Sequence, residues 1–226
     1  MSRESLAVQS GVSWSAIAQI EAGRRPNPRA ETIAALSHGL GVTADHLLGA
    51  PTASLLHHQA LIYRDHADFV ATAGPFVRAG LTSNDATLVV TTPGNIEALR
   101  SELGDVDRVR FAVSADWYVS PRAAFTGYRQ FAEAALADGA PWLRVIGEPV
   151  WSGLSDEHVA RWARYESLLN LSFASYPLTL ACPYNKAILP PEVLDHAEMT
   201  HSQSISGDGT RDNDRYSDPS EYCLNG

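Results

Sequence analysis

The chain has 226 residues, 17 of them basic and 26 acidic, and its formal charge of −9 disfavours broad binding of nucleic acid or anionic membrane by the whole protein. Its length suits two domains, no apolar run is long enough to span a bilayer, and two cysteines, Cys182 and Cys223, are too few for a disulfide framework. The opening residues lack the pattern of a signal peptide, so a cytoplasmic location is expected.

Residues 6–48 hold the first organised pattern. Leu6 and Ala7 give one helix an apolar side, Gly11 lets the backbone turn, and Ser13 is placed to cap a second helix whose Ile17 and Ile20 point inward. Trp14, Ser15, Ala18 and Gln19 then face outward. In a helix-turn-helix of this kind the second helix enters the major groove, which makes Trp14, Ser15 and Gln19 base-reading candidates with Ser13 beside them at the DNA. Gln19 is the sharpest of these, because its amide can pair bidentately with adenine. Arg24, Arg25 and Arg29 follow in a loop broken by Pro26 and Pro28, suited to phosphate contacts that fix register. Helices predicted over 32–40 and 43–48 close the unit. The runs LA, SGVS, IAQIEAGRRP, TIAALSHGLGV and LL resemble the Cro/phage-repressor (XRE) family. Only residues 1–5 stand where that family has a further helix, so the resemblance implies an N-terminally truncated module. Residues 1–50 carry four Arg against four acids, without the basic excess common in DNA-binding domains. A helical packing or dimerisation module is the alternative reading.

Residues 49–56 (GAPTASLL) read as a linker. Beyond it, strands are predicted over 60–63, 86–91, 109–113, 142–146 and 178–182, and helices over 67–79, 96–103, 121–138, 156–175 and 190–197. This alternation implies an α/β domain with a mostly parallel sheet covered by helices on both faces, preceded by the small all-α unit. Ligands of such sheets sit at the carboxyl ends of the strands. Tyr63-Arg64-Asp65, Thr91-Thr92-Pro93-Gly94, Gly147-Glu148-Pro149 and Cys182-Pro183-Tyr184-Asn185 all fall there. Residues 207–226 are polar and rich in acids, and are expected to form a disordered tail.

His58 with Tyr63 five residues later, AGPFVRAGL, LRVIGEPVW, YESLLN, CPYN and the pair Thr200-His201 resemble the MEDS domain, a sensory domain of methanogen and methylotroph regulators, over residues 57–206. The resemblance implies a RecA-like layout and the sensing of small molecules, with simple hydrocarbon derivatives as the proposed class. Two positions depart from the family: its Cys-x-Tyr-Asp is Cys182-Pro183-Tyr184-Asn185 here, and the Pro after the terminal His is Ser202. A RecA-like layout invites ATP, but the turn YRDHADF has neither the glycines nor the lysine of a phosphate loop, so no ATP is expected. The identity of any other cofactor stays open.

The candidate ligand pocket comprises His58, Tyr63, Arg144, Glu148, Trp151, Tyr165, Glu166, Asn170, Cys182, Tyr184 and His201. Each also admits a structural role: Arg144 can pair with Glu148, Cys182 can be a small buried hydrophobe, and Asn170 can satisfy backbone groups. Cys182, His58, His201 and a glutamate have ligand atoms suited to zinc or iron, yet no C-x-x-C or H-x-x-x-H spacing accompanies them, and no metal site is predicted. A redox role for Cys182 lacks a basic neighbour in sequence. His57 and His158 read as surface residues. The expectation is a cytoplasmic, homodimeric transcriptional regulator whose partners are operator DNA and a small organic ligand. The alternatives are a metal- or cofactor-binding enzyme using Cys182, Glu148, Glu166 and His201, or a signalling module that does not bind DNA.

Overall fold

Hydroxyl caps set the starts of the first two helices. The computed structural model describes residues 2–42, 44, 55–104, 106–151, 153–207 and 209–225, in two units, Met1–Ser54 and Leu55–Gly226. Helix α1 (Arg3–Ser10) begins where the Ser2 hydroxyl accepts the Ser5 N–H at 3.1 Å, and it ends at Gly11 with φ of 70°. Helix α2 (Trp14–Glu21) begins where the Ser13 hydroxyl accepts the Ala16 N–H at 3.3 Å, and α3 (Ala30–Leu40) completes the unit. Leu6, Ile17 and Leu36 form the buried centre, with Ala7, Val12 and Ile20 packed on it. Gly39 permits the close approach of α3 to α1, since a Cβ there would lie 2.9 Å from the Ser10 Cβ. The helix predicted over 43–48, apart from residue 44, and linker residues 49–54 lie outside the described residues.

The second unit runs β1 (Leu56–Tyr63), α4 (His66–Ser83), β2 (Ala86–Thr91), α5 (Pro93–Leu103), β3 (Val109–Val113), α6 (Ser114–Trp117), α7 (Pro121–Ala137), β4 (Leu143–Gly147), α8 (Asp156–Ser172), β5 (Leu178–Asn185), α9 (Pro191–Thr200), β6 (Gln203–Ser206), β7 (Gly209–Asp212) and α10 (Pro219–Asn225). The sheet order is β3-β2-β4-β5-β1-β6-β7, parallel throughout except for the antiparallel β6–β7 pair. Alternation along β1 puts Leu56, His58 and Ala60 on one face and Leu61 and Tyr63 on the other. The first face packs against Tyr128, Tyr165, Leu169, Val193 and Ala197 of α7, α8 and α9. The second packs against Phe69, Ala73, Val77 and Leu99 of α4 and α5. Both faces are buried, as an apolar strand such as ATLVVT requires.

Strand β1 starts four residues before its predicted start, because the inward-facing His58 breaks the apolar pattern without breaking the strand. The larger correction is the tail. Residues 209–212 pair with β6, and Asn213 is buried, donating to the His201 carbonyl at 2.8 Å and accepting from the Ser204 hydroxyl at 2.8 Å. Tyr222 of α10 hydrogen-bonds His196 at 2.6 Å, and Cys223 beside it is half-buried. Hydrogen bonds and ion pairs, which composition does not register, order this polar segment.

Candidate functional site

Helices α4, α5 and α6 all begin just after β1, β2 and β3, so their N-termini meet at the carboxyl edge of the sheet. Glu148 follows β4 at that edge. Its backbone N–H donates to the Val90 carbonyl at 2.9 Å, and its carboxylate accepts from the Tyr63 and Thr91 hydroxyls, from Asn95 Nδ2 at 3.2 Å and from the Thr92 N–H at 3.4 Å. Burial, with Glu148 beside it, pushes the Tyr63 phenol well above its ordinary value, which keeps it a donor. With Asn95 Nδ2 committed to Glu148, its Oδ1 accepts from His66 Nδ1 at 2.6 Å, which in the neutral ring leaves Nε2 as an acceptor. Gly94 makes room for that ring, because a Cβ would lie 2.7 Å from His66 Cε1.

A cleft of about 400 Å3 opens on this network. Tyr63, Asp65, His66, Thr92, Ser114, Glu148 and Asn185 give its polar lining, and Pro149, Val150, Trp151, Pro183, Ile188 and Leu189 its apolar one. The Ser114 hydroxyl is buried with no hydrogen-bond partner among the described residues. Volume and lining suit a small organic molecule with a few polar groups. Phosphate is disfavoured at the β1–α4 turn, where the Asp65 carboxylate accepts the Asp68 N–H at 2.9 Å and Asp68 accepts the Arg64 N–H at 3.0 Å. Carboxylates hold the N–H groups that a phosphate loop would present.

A second polar group lies inside the core between the sheet and α8. His58 Nε2 is 3.3 Å from Cys182 Sγ and 3.4 Å from Glu166 Oε2, Cys182 Sγ is 3.3 Å from Glu166 Oε2, and His201 Nε2 is 3.7 Å from the same oxygen. All four residues are buried. Burial, and then the Glu166 carboxylate, push the Cys182 thiol up; burial, and then His58, hold His201 well below the ordinary imidazole value. Asn170 donates to the Ser167 and Thr200 carbonyls at 3.2 and 2.9 Å, which turns its Oδ1 toward His58 Nδ1 at 3.2 Å.

The predicted pocket residues thus divide. Tyr63, Glu148 and Trp151 line the cleft. His58, Glu166, Asn170, Cys182 and His201 form the interior cluster, while Tyr165 and Tyr184 are buried in the adjoining core. Arg144 belongs to neither: it sits near the amino end of β4 and pairs with Asp85 at 2.9 Å, not with Glu148. His66, Asn95, Ser114 and Asn185 were not among the predicted pocket residues. Asn95 stands three residues after the Thr92 cap of α5, a position whose side chain overlooks the strand end. His57 and His158 are exposed as expected.

In the first unit, Ser15, Gln19, Arg24 and Arg29 are exposed, Arg25 is half-buried and Trp14 is 47% exposed. Trp14 Nε1 donates to Glu4 at 3.0 Å, and Arg3, which pairs with Glu21, has its guanidinium 5.9 Å from the Trp14 ring centroid. Ser13 spends its acceptor on the helix cap. Among the described residues Arg24, Arg25 and Arg29 make no ion pair.

Residues 57–202 match the family model described as the methanogen/methylotroph, DcmR sensory domain, and residues 1–48 match a helix-turn-helix domain. No curated protein and no solved structure matches the chain. None of the described helices is long and apolar enough to cross a membrane.

Proposed function

Because the chain belongs to the methanogen/methylotroph, DcmR sensory-domain family and carries a helix-turn-helix domain ahead of it, we propose that it is a transcriptional regulator whose DNA binding responds to a small organic molecule held in the carboxyl-edge cleft. The observation that carries this reading is the cleft itself, with an apolar wall around Trp151 facing the polar groups of His66, Ser114 and Asn185. Glu148 anchors the strand ends and is saturated with donors, so ligand recognition falls to His66 Nε2, the Ser114 hydroxyl and Asn185. The geometry favours a molecule with one or two polar groups on a compact apolar body. On the DNA side, Gln19 reads bases while Arg24, Arg25 and Arg29 hold phosphates, and a two-fold dimer presents two such helices to half-sites about one helical turn apart. The protein acts in the cytoplasm.

The test is DNA binding by the full chain with and without candidate ligands. Genomic fragments retained by the purified protein are sequenced, and affinities for the enriched site are measured by fluorescence anisotropy while small organic compounds are added. Linkage requires that a ligand changing DNA affinity by some factor has its own affinity changed by the same factor when DNA is present. Retention of fragments without sequence preference would remove the regulator reading. Specific DNA binding that no cleft ligand alters would remove the sensing.

A further inference from the structure

Two imidazoles, one carboxylate and one thiol meet in the core, and their protons do not suffice to join them. The Asn170 amide is oriented by the two carbonyls it donates to, so its Oδ1 is an acceptor and His58 Nδ1 carries the proton. The Ala197 carbonyl, 2.9 Å from His201 Nδ1, fixes the same tautomer there. With both rings neutral, the two Nε2 atoms turn bare lone pairs toward the Glu166 carboxylate. The Cys182 S–H is the one donor that these partners leave to the four. His201 Nε2 and Glu166 Oε1 are buried with no hydrogen-bond partner among the described residues. Converging lone pairs of this kind repel one another unless a cation lies between them.

Distance points to the same occupant. The four ligand atoms all lie within 4.8 Å of one another, with 3.3, 3.3, 3.4 and 3.7 Å for the close pairs. Bonds of about 2.0–2.3 Å from a tetrahedral zinc would separate its nitrogen, oxygen and sulfur ligands by about 3.3–3.6 Å. We infer that His58, Glu166, Cys182 and His201 bind one divalent transition-metal ion of the zinc class, through His58 Nε2, Glu166 carboxylate oxygen, Cys182 Sγ and His201 Nε2. Binding releases the Cys182 thiol proton to water, and thiolate plus carboxylate then cancel the charge of the ion, as a buried site needs. Four protein ligands complete the tetrahedron, and the cleft lining contains none of them. The site is accordingly closed, and its ion ties β1, α8, β5 and the end of α9 together. Asn170 and the Ala197 carbonyl act as positioning groups that hold the two rings. No local spacing reveals this set in sequence, because each ligand comes from a different element.

The experiment uses the full chain stripped with a chelator and titrated with Co2+, then Zn2+. The expected result is one Co2+ per chain with visible ligand-field bands of tetrahedral intensity and a near-ultraviolet thiolate-to-metal band, both abolished by Zn2+, and a melting midpoint raised by either ion. Cys182→Ser loses the thiolate band, whereas Cys223→Ser keeps it. Asn170→Ala keeps the spectrum but weakens binding roughly 10–100-fold. A stripped wild-type chain that is folded by circular dichroism yet takes up no stoichiometric ion overturns the inference. A thiolate band that persists in Cys182→Ser overturns it equally. Neither readout involves DNA or the cleft ligand, so the outcome is independent of the regulator reading.

Discussion

The indole of Trp151 lies against the ring of Tyr184, with centroids 5.8 Å apart and 29° between the planes. Tyr184 in turn meets His201 edge-on at 5.7 Å. Trp151 belongs to the cleft wall and His201 to the interior cluster, so one aromatic chain joins the two. Trp151→Ala should cost about 3–5 kcal/mol of unfolding free energy through the cavity it leaves, and Trp151→Phe clearly less. Urea denaturation measures both. Equal stability of Trp151→Ala and wild type would mean that the indole is not packed as described.

Gly147 is held to glycine by its neighbours. A Cβ there would come within 2.7 Å of the Tyr118 hydroxyl oxygen and closer still to that of Tyr128, and these two hydroxyls are themselves hydrogen-bonded in the core. Gly147→Ala should therefore cost about 1–3 kcal/mol by overpacking. Adding Tyr128→Phe removes the nearest clashing atom and should restore part of the loss, a coupling that a thermal-melt double-mutant cycle would detect. Strict additivity of the two substitutions would contradict the contact.

His196 makes stability pH-dependent. Burial lowers its imidazole below the ordinary 6.5, against a smaller opposing pull from Asp195. As pH falls, the unfolded chain takes up that proton before the folded one, so its contribution to stability is intact above the ordinary value and is lost as pH drops toward the folded value. Tyr222, whose phenol burial pushes up to about 12, stays protonated throughout and keeps its hydrogen bond to the ring. Melting midpoints recorded from neutral to mildly acid pH should fall less steeply in His196→Gln than in wild type. Parallel curves would show that His196 titrates alike in both states.

The sheet was legible because its central strands are buried on both faces and read as apolar runs, with ATLVVT at β2 placed to the residue. The carboxyl-edge location followed from that parallel order, and with it Tyr63, Glu148 and Trp151. The split between cleft and cluster was not legible. It depends on which face of β1 and β5 each side chain takes, and partners such as His58 and Cys182 stand 124 residues apart. Arg144 misled because a charged residue on an apolar strand attracts a functional reading, whereas Asp85 holds it at the far end of the sheet. The tail misleads because polarity alone reads as disorder, while Asn213 and Tyr222 show how polar residues are tied down individually.

Two kinds of contact separate on the proposed DNA-binding surface. Gln19 is exposed on α2, and it is the base-reading side chain of the proposed regulator. Gln19→Ala should relax preference at one position of the enriched site by about 1–3 kcal/mol while leaving nonspecific affinity nearly unchanged. Arg24, exposed just beyond α2 with its N–H on the Gln19 carbonyl at 2.9 Å, is the proposed phosphate contact. Arg24→Ala should weaken binding to all sequences alike and lower the slope of log K against log salt by about one. Glu4 bears on the same surface, because its carboxylate holds Trp14 Nε1 at 3.0 Å and places negative charge beside α2. Glu4→Gln keeps an acceptor for the indole and removes that charge, and should tighten DNA binding at low salt with a gain that fades as salt rises. Anisotropy titrations of the three variants at several salt concentrations decide it: a uniform loss in Gln19→Ala, or a change of base preference in Arg24→Ala, would reverse the assigned roles.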